Sequence, residues 1–285
     1  MNVKYADAHC HIQFEQYAHD DEEVITRMRE NGIAAIIVGV DLASSQKAVA
    51  LAEKHEHLFA SVGLHPNHAA EPFSAGGGSA SGGDEEAFRQ LARHPKVVAI
   101  GECGLDYFRP AEVNEEVKRV QKEVLQKHIE LAVALDKPLI IHARPSSAKA
   151  TEGKPSRDAY QDLIAILKEA KIKYPNLRGD IHFFVGGIQE AEALIALNFT
   201  VSFTAVITFA RDYDAVIRAV PLASILSETD APYIAPASRR GERNDPLAVI
   251  DVVAKIAEIR GEPLDTVRAA LLANTKLLFA LPMLS

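Results

Sequence analysis

Eight short runs of apolar, largely β-branched residues recur along the chain, and each is followed by a stretch with helical periodicity. They are 5–10 (YADAHC), 34–40 (AAIIVGV), 58–64 (LFASVGL), 97–103 (VVAIGEC), 138–143 (PLIIHA), 180–185 (DIHFFV), 200–205 (TVSFTA) and 224–230 (SILSETD). Continuous apolarity marks strands buried on both faces, and strand–helix alternation makes such strands parallel. The intervening segments are amphipathic: in 114–135, Val117, Val120, Val124, Leu125, Ile129 and Ala132 form one stripe at helical spacing. Eight such units predict a (β/α)8 TIM barrel spanning 1–285 as a single domain, with 246–280 forming two C-terminal helices. A doubly wound open sheet is disfavoured because no G-x-G-x-x-G follows the first run.

Two polar segments interrupt the rhythm. Residues 74–83 (SAGGGSASGG) have too few side chains to pack and read as a flexible surface insertion. Residues 145–157 (PSSAKATEGKPSR) directly follow a strand end and read as a lid over the barrel mouth.

Barrel enzymes place their chemistry at the C-terminal ends of the strands. Those ends carry His9 and His11, Glu102, His142, His182 and Asp230, with His65 after the third strand. In an extended strand His9 and His11 share one face, while Cys10 points to the other. Burying four imidazoles and two carboxylates without a counter-charge costs several kcal/mol or more per unpaired ion. Divalent cations remove that cost. Six ligands exceed the three or four of one catalytic zinc, so two metals are the natural count. A carboxylate has two oxygens and can bridge cations, which makes Glu102 and Asp230 the bridging candidates. Mixed nitrogen and oxygen donors suit Zn, Mn, Fe, Co or Ni in the site, with Mg admitted as an activating ion.

Composition narrows the partners. A net charge of −8 excludes a general nucleic-acid coat protein, though not an enzyme that grips a few phosphates locally. No apolar run reaches the length of a membrane span, and no basic-then-apolar leader opens the chain, so a cytoplasmic setting without a membrane or an obligate protein partner is expected. The two cysteines make no disulfide framework and read as small buried hydrophobes pointing away from the ligand face.

The motifs DAHCHI, GLHP, AIGECGLDY, IIHAR, IHFFVGG, SETDAPY and RRGERNDP run through nearly the whole chain in an order that resembles TatD-type metal-dependent deoxyribonucleases. The resemblance implies a TIM barrel that hydrolyses DNA phosphodiesters from the 3′ end, with DNA ends as substrate. It implies that His9, His11, Glu102 and Asp230 hold one metal and that Glu102, His142 and His182 hold the other. His65 falls where the family contacts substrate phosphate. Two features depart from the family pattern: HFFVGG where His-Cys-Phe-Ser/Thr-Gly is usual, and a longer segment after His142.

Glu102 and Asp230 are the catalytic candidates, Asp230 as proton acceptor from the attacking water. His65, Arg144 and Arg240 are assigned to phosphate and Tyr107 to stacking on a terminal base; Arg240 and Arg243 share one run after the eighth strand that reads either as phosphate contacts or as a solvated charge run. His128, on an apolar helical stripe, reads as a hydrogen-bonded core histidine, whereas His19, His55, His57, His68 and His94 read as surface residues. Two rival functions remain. An amidohydrolase acting on lactones, amides or phosphotriesters would share the His-x-His pair and the last aspartate, but often bridges its metals through a modified lysine, and no strand-end lysine is present. A catalytically silent metal-binding or partner-binding protein would not need the complete ligand set.

Overall fold

The computed structural model describes residues 2–69, 82–109, 113–146 and 157–282; the segments foreseen at 74–83 and 145–157 fall largely outside them. The eight apolar runs form β1 (Tyr5–Cys10), β2 (Ile33–Val38), β3 (Leu58–Val62), β4 (Val97–Asp106), β5 (Leu139–Arg144), β6 (Gly179–His182), β7 (Phe199–Phe203) and β8 (Ile225–Ser227). They pair in sequence order, all parallel, into one eight-stranded sheet. The seam between β1 and β8 is drawn together by the Asp230 N–H, which donates to the His9 carbonyl (2.9 Å), and by a bridge between Cys10 and Ala231. The Asp7 carboxylate adds to the seam, accepting the backbone N–H (2.9 Å) and hydroxyl (2.6 Å) of Thr229. The fold is the expected barrel, with helices Val249–Arg260 and Leu264–Leu278 following the last strand.

Two apolar cores follow from strands buried on both faces. The larger lies between the strands and their helices and contains both free cysteines, Cys10 and Cys103. The smaller fills the barrel interior with Ala8, Ile36, Val38, Phe59, Ile140 and Leu226, and Leu278 and Phe279 from the end of the last helix pack against it. Among the described residues no helix is long and apolar enough to cross a membrane.

Local irregularities aim the polar side chains. The β4–β5 register shifts between Ile100 and Cys103, the bulge that contains Glu102. The flanking Gly101 and Gly104 have positive φ, and a Cβ on either would lie 2.3 Å from the Ile140 carbonyl or 2.0 Å from the His142 carbonyl. Only glycine lets β4 press this closely on β5. A second shift, between Asp7 and Cys10 on β1, surrounds His9.

His128 is the core histidine expected: its Nδ1–H donates to the Val124 carbonyl (2.8 Å) and its Nε2 accepts the Leu64 N–H (3.0 Å), pinning the loop that carries His65. His57 is a correction. It is buried at the start of β3 with Nε2 unpartnered, and burial pushes its pKa down to about 4. The polar residues around it in sequence concealed a position beneath the barrel strands.

Candidate metal centre

Glu102 is the hub of the mouth. Its Oε2 faces His9 Nε2 (3.4 Å) and His11 Nε2 (4.0 Å), while its Oε1 faces His142 Nδ1 (3.1 Å), His65 Nε2 (3.3 Å) and His182 Nε2 (3.5 Å). Asp230 Oδ1 lies 3.5 Å from His11 Nε2 and 3.9 Å from His9 Nε2. Ligand atoms of His9, His11 and Glu102 lie within 4.8 Å of one another, as do those of Glu102, His142 and His182. Each triad could hold a metal ion, and the two share the two oxygens of Glu102. Of the two bridging candidates, only Glu102 turns an oxygen to each group of histidines.

The far nitrogens of the histidines decide what stands in the centre. His11 Nδ1–H donates to the Val38 carbonyl (2.8 Å). His142 Nε2–H donates to Asp106 Oδ2 (3.1 Å), and His182 Nδ1–H donates to Glu228 Oε1 (3.0 Å). With those protons placed outward, His11 Nε2, His142 Nδ1 and His182 Nε2 turn lone pairs toward the carboxylates. Lone pairs against carboxylate oxygens at this range repel unless a cation lies between them. Among the described residues no lysine or arginine pairs with Glu102 or Asp230. The donor set therefore fits divalent metal ions.

The same field sets the direction in which each pKa moves. Burial raises the pKa of Glu102, but the surrounding histidines outweigh it and hold the carboxyl well below its usual range. Burial lowers His182, yet the charges of Glu228 and Glu102 overcome it and lift its pKa to about 10. His142 is raised in the same way by Asp106 and Glu102. His9, stacked on His182 at 3.6 Å, is lowered by burial and by that neighbour.

Three carboxylates here escaped the sequence reading. Asp106 shares the inward parity of Glu102 on β4, and its Oδ1 also accepts the N–H groups of Phe108 and Arg109 (2.9 Å each). Glu228 also accepts the Phe183 N–H (2.7 Å) on Oε1 and the Ser202 hydroxyl (2.8 Å) on Oε2, and Ser202 Oγ lies 2.6 Å from Asp180 Oδ2. Asp180 is fully buried, and burial with the nearby Glu228 charge pushes its pKa up to about 7. A charged residue inside or at the edge of an apolar run was the signal available for Glu228 and Asp180, whereas Asp106 lies three residues past the run read as the fourth strand.

The remaining assignments divide. His65 joins the cluster; its Nδ1 accepts the Asn67 N–H (3.1 Å), which leaves Nε2 as the donor facing Glu102. Arg144 and Arg240 lie over the rings of Phe108 (4.3 Å) and Phe209 (3.8 Å). Arg243 is committed elsewhere, bidentate to Asp20 at 2.8 and 2.5 Å. Tyr107 is a correction: it is 1% exposed and its hydroxyl donates to Asp162 (2.7 Å), so its ring faces the helix layer rather than the mouth.

A nearly closed parallel barrel with four histidines and two carboxylates converging at its C-terminal mouth defines a metal-dependent hydrolase of the TIM-barrel class. The chain matches the TatD related DNase family over residues 6–280, and it belongs to that family. It is 33% identical over 276 residues to the uncharacterized metal-dependent hydrolase YabD of Bacillus subtilis (strain 168), covering 96% of this chain and 98% of that protein. It is 30% identical over 278 residues to the 3′-5′ ssDNA/RNA exonuclease TatD of Erwinia amylovora, covering 93% and 96%. Among solved structures, the TatD homologue YjjV of Escherichia coli K12 superposes with a TM-score of 0.83 at 30% identity, over 99% of this chain and 100% of that one.

Proposed function

We propose that this hydrolase cleaves phosphodiester bonds of DNA, working from the 3′ end in the cytoplasm, with two divalent cations at the mouth. The observation that carries the reading is the sharing of Glu102 between two histidine groups, beneath a rim where Arg144 and Arg240 have no carboxylate partner among the described residues. His9, His11, Glu102 and Asp230 would hold one ion, and Glu102, His142 and His182 the other. When bound, such ions polarise phosphoryl oxygens and acidify water. Asp230, whose carboxyl is held below its usual range by the neighbouring histidines despite burial, accepts the proton of the attacking water. His65 donates from Nε2, and Arg144 and Arg240 donate from planar guanidiniums, to orient the phosphate for in-line displacement.

The test is end-labelled single-stranded DNA, matching RNA, and a panel of lactones and phosphotriesters, each with protein whose metal content has been measured after reconstitution. Stepwise shortening of DNA from its 3′ end, with close to two metals per chain, is the expected result. Turnover confined to lactones or phosphotriesters would replace the nuclease reading with the amidohydrolase one, and a ceiling of one metal would remove the shared-ligand centre.

A further inference from the structure

The rim of the barrel carries aromatic rings in an uneven state of exposure. Phe108, just past β4, is 47% exposed, Phe209, past β7, is 39% exposed, and Tyr233, past β8, is 42% exposed. Exposed rings gathered at one rim, unlike apolar residues scattered singly, mark a surface for recognition. Two of these carry a guanidinium on one face: Arg144 from the end of β5 over Phe108, and Arg240 from beyond β8 over Phe209. Among the described residues neither guanidinium has a carboxylate partner, and Arg109 beside Phe108 has none either. In the β8 run, by contrast, Arg239 pairs with Asp245 and Arg243 with Asp20. Arg144 and Arg240 are thus cations stacked on rings at the mouth. The Arg144–Phe108 stack stands on the β4–β5 side and the Arg240–Phe209 stack on the β7–β8 side, with His182 of β6 between them in the order of strands. Tyr233 completes the second side, its ring 6.3 Å from that of His11.

We infer that the two stacks are base platforms on opposite sides of the metal centre, so that the bound substrate is a single strand crossing the mouth with a nucleotide seated on each side of the scissile phosphate. The inference rests on the phosphodiesterase reading and adds the track that reading leaves open. A guanidinium over a ring offers a nucleic-acid strand both a cation for phosphate and an extended π surface for a base. Stacking needs an unpaired base face, which a duplex withholds. An acidic peptide would use the arginines but not the rings.

Metal-reconstituted protein is titrated with a fluorescein-labelled, phosphorothioate-linked single strand, read by anisotropy, and cleavage of the matching phosphodiester strand is followed in parallel. Phe108→Leu and Phe209→Leu keep the apolar volume at exposed positions and remove the π face. Each is expected to weaken binding of the intact strand about 5- to 50-fold. The effect should vanish on a strand abasic at the nucleotide which that ring seats, and it should appear in KM more than in kcat. Equal losses on intact and abasic strands, no loss, binding of blunt duplex as tight as single strand, or no binding of strands by the parent protein would each overturn the platforms. Ring-dependent binding without cleavage of any strand would leave the platforms standing and remove the phosphodiesterase reading.

Discussion

Substituting Glu228 by Gln alters the support of a ligand without altering its shape. Glu228 is fully buried and accepts three hydrogen bonds, from His182 Nδ1, the Phe183 N–H and the Ser202 hydroxyl. Glutamine keeps one carbonyl oxygen for the first two donors. Its amide can donate to Ser202, whose hydroxyl then turns to Asp180, 2.6 Å away. Every partner survives, so the fold loses only the charge assistance of three bonds, on the order of 1–3 kcal/mol, offset in part by the lower desolvation cost of an amide. The larger effect falls on metal. An anionic partner on Nδ1 makes Nε2 a stronger donor, and losing such partners typically lowers metal affinity about 10- to 100-fold. Protons act in the opposite direction. In the parent the pKa of His182 is lifted to about 10, and metal uptake near neutrality must expel its proton. In the variant that proton is held less tightly. The parent's advantage should therefore be greatest at alkaline pH and narrow as pH falls, and calorimetry in buffers of different ionisation enthalpy should show fewer protons released per metal by the variant. Competition against a chromogenic chelator across neutral to alkaline pH measures the affinity, and circular dichroism checks the fold. A folded variant with unchanged affinity at every pH, or a gap that widens toward acid, would refute the assignment of Glu228 as the residue that orients His182.

Asp230→Asn should lower kcat by about 10²- to 10⁴-fold at metal concentrations that fill the site, through loss of the proton acceptor; near-parental turnover at verified occupancy would make Asp230 a ligand only. His57 has its pKa depressed from 6.5 to about 4, so the unfolded chain takes up a proton that the fold refuses, and stability falls as pH drops from about 6.5 to 4. At about 1.4 kcal/mol per pKa unit, discounted for partial hydration of the ring, the loss is about 1–2 kcal/mol. Urea melts should show it in the parent and not in His57→Gln. Gly104→Ala would drive a Cβ into the His142 carbonyl at a positive φ and should cost roughly 3 kcal/mol or more, read as a lowered denaturation midpoint or loss of folded protein.

The barrel was legible because parallel strands covered on both faces leave an unbroken apolar signature. The starts of β1, β3 and β4 coincide with the expected ones. The end of β8 does not: the run to residue 230 was read as strand, whereas the ladder stops at Ser227 and Asp230 turns to φ +52. There the chain exchanges ladder partners for the Asp7 carboxylate and the His9 carbonyl, a substitution that hydropathy cannot register. The six strand-end candidates stood out as polar residues in apolar runs, and the structure brings them together. Tyr107 failed on parity. Counting from inward Glu102, residues 103, 105 and 107 point outward, and the rule that set Cys103 aside also removes Tyr107. Phe108 lies past the strand, where alternation no longer applies. Asp106 and Glu228 could have been found by asking which partner holds each ligand imidazole in one tautomer.

The seam and the floor of the barrel have a consequence for how the protein is made. His9 and His11 precede Asp230 by more than two hundred residues, and Leu278 and Phe279, which seal the interior, come later still. Pairing of β1 with the β8 segment is the longest-range strand contact of the barrel, so closing the seam carries the loop-closure entropy of more than two hundred residues. Strands β4 to β6, which carry Glu102, His142 and His182, can pair before that closure, whereas Asp230 reaches His9 and His11 only through it. The two halves of the mouth thus differ in folding order, one local along the chain and the other waiting on the seam.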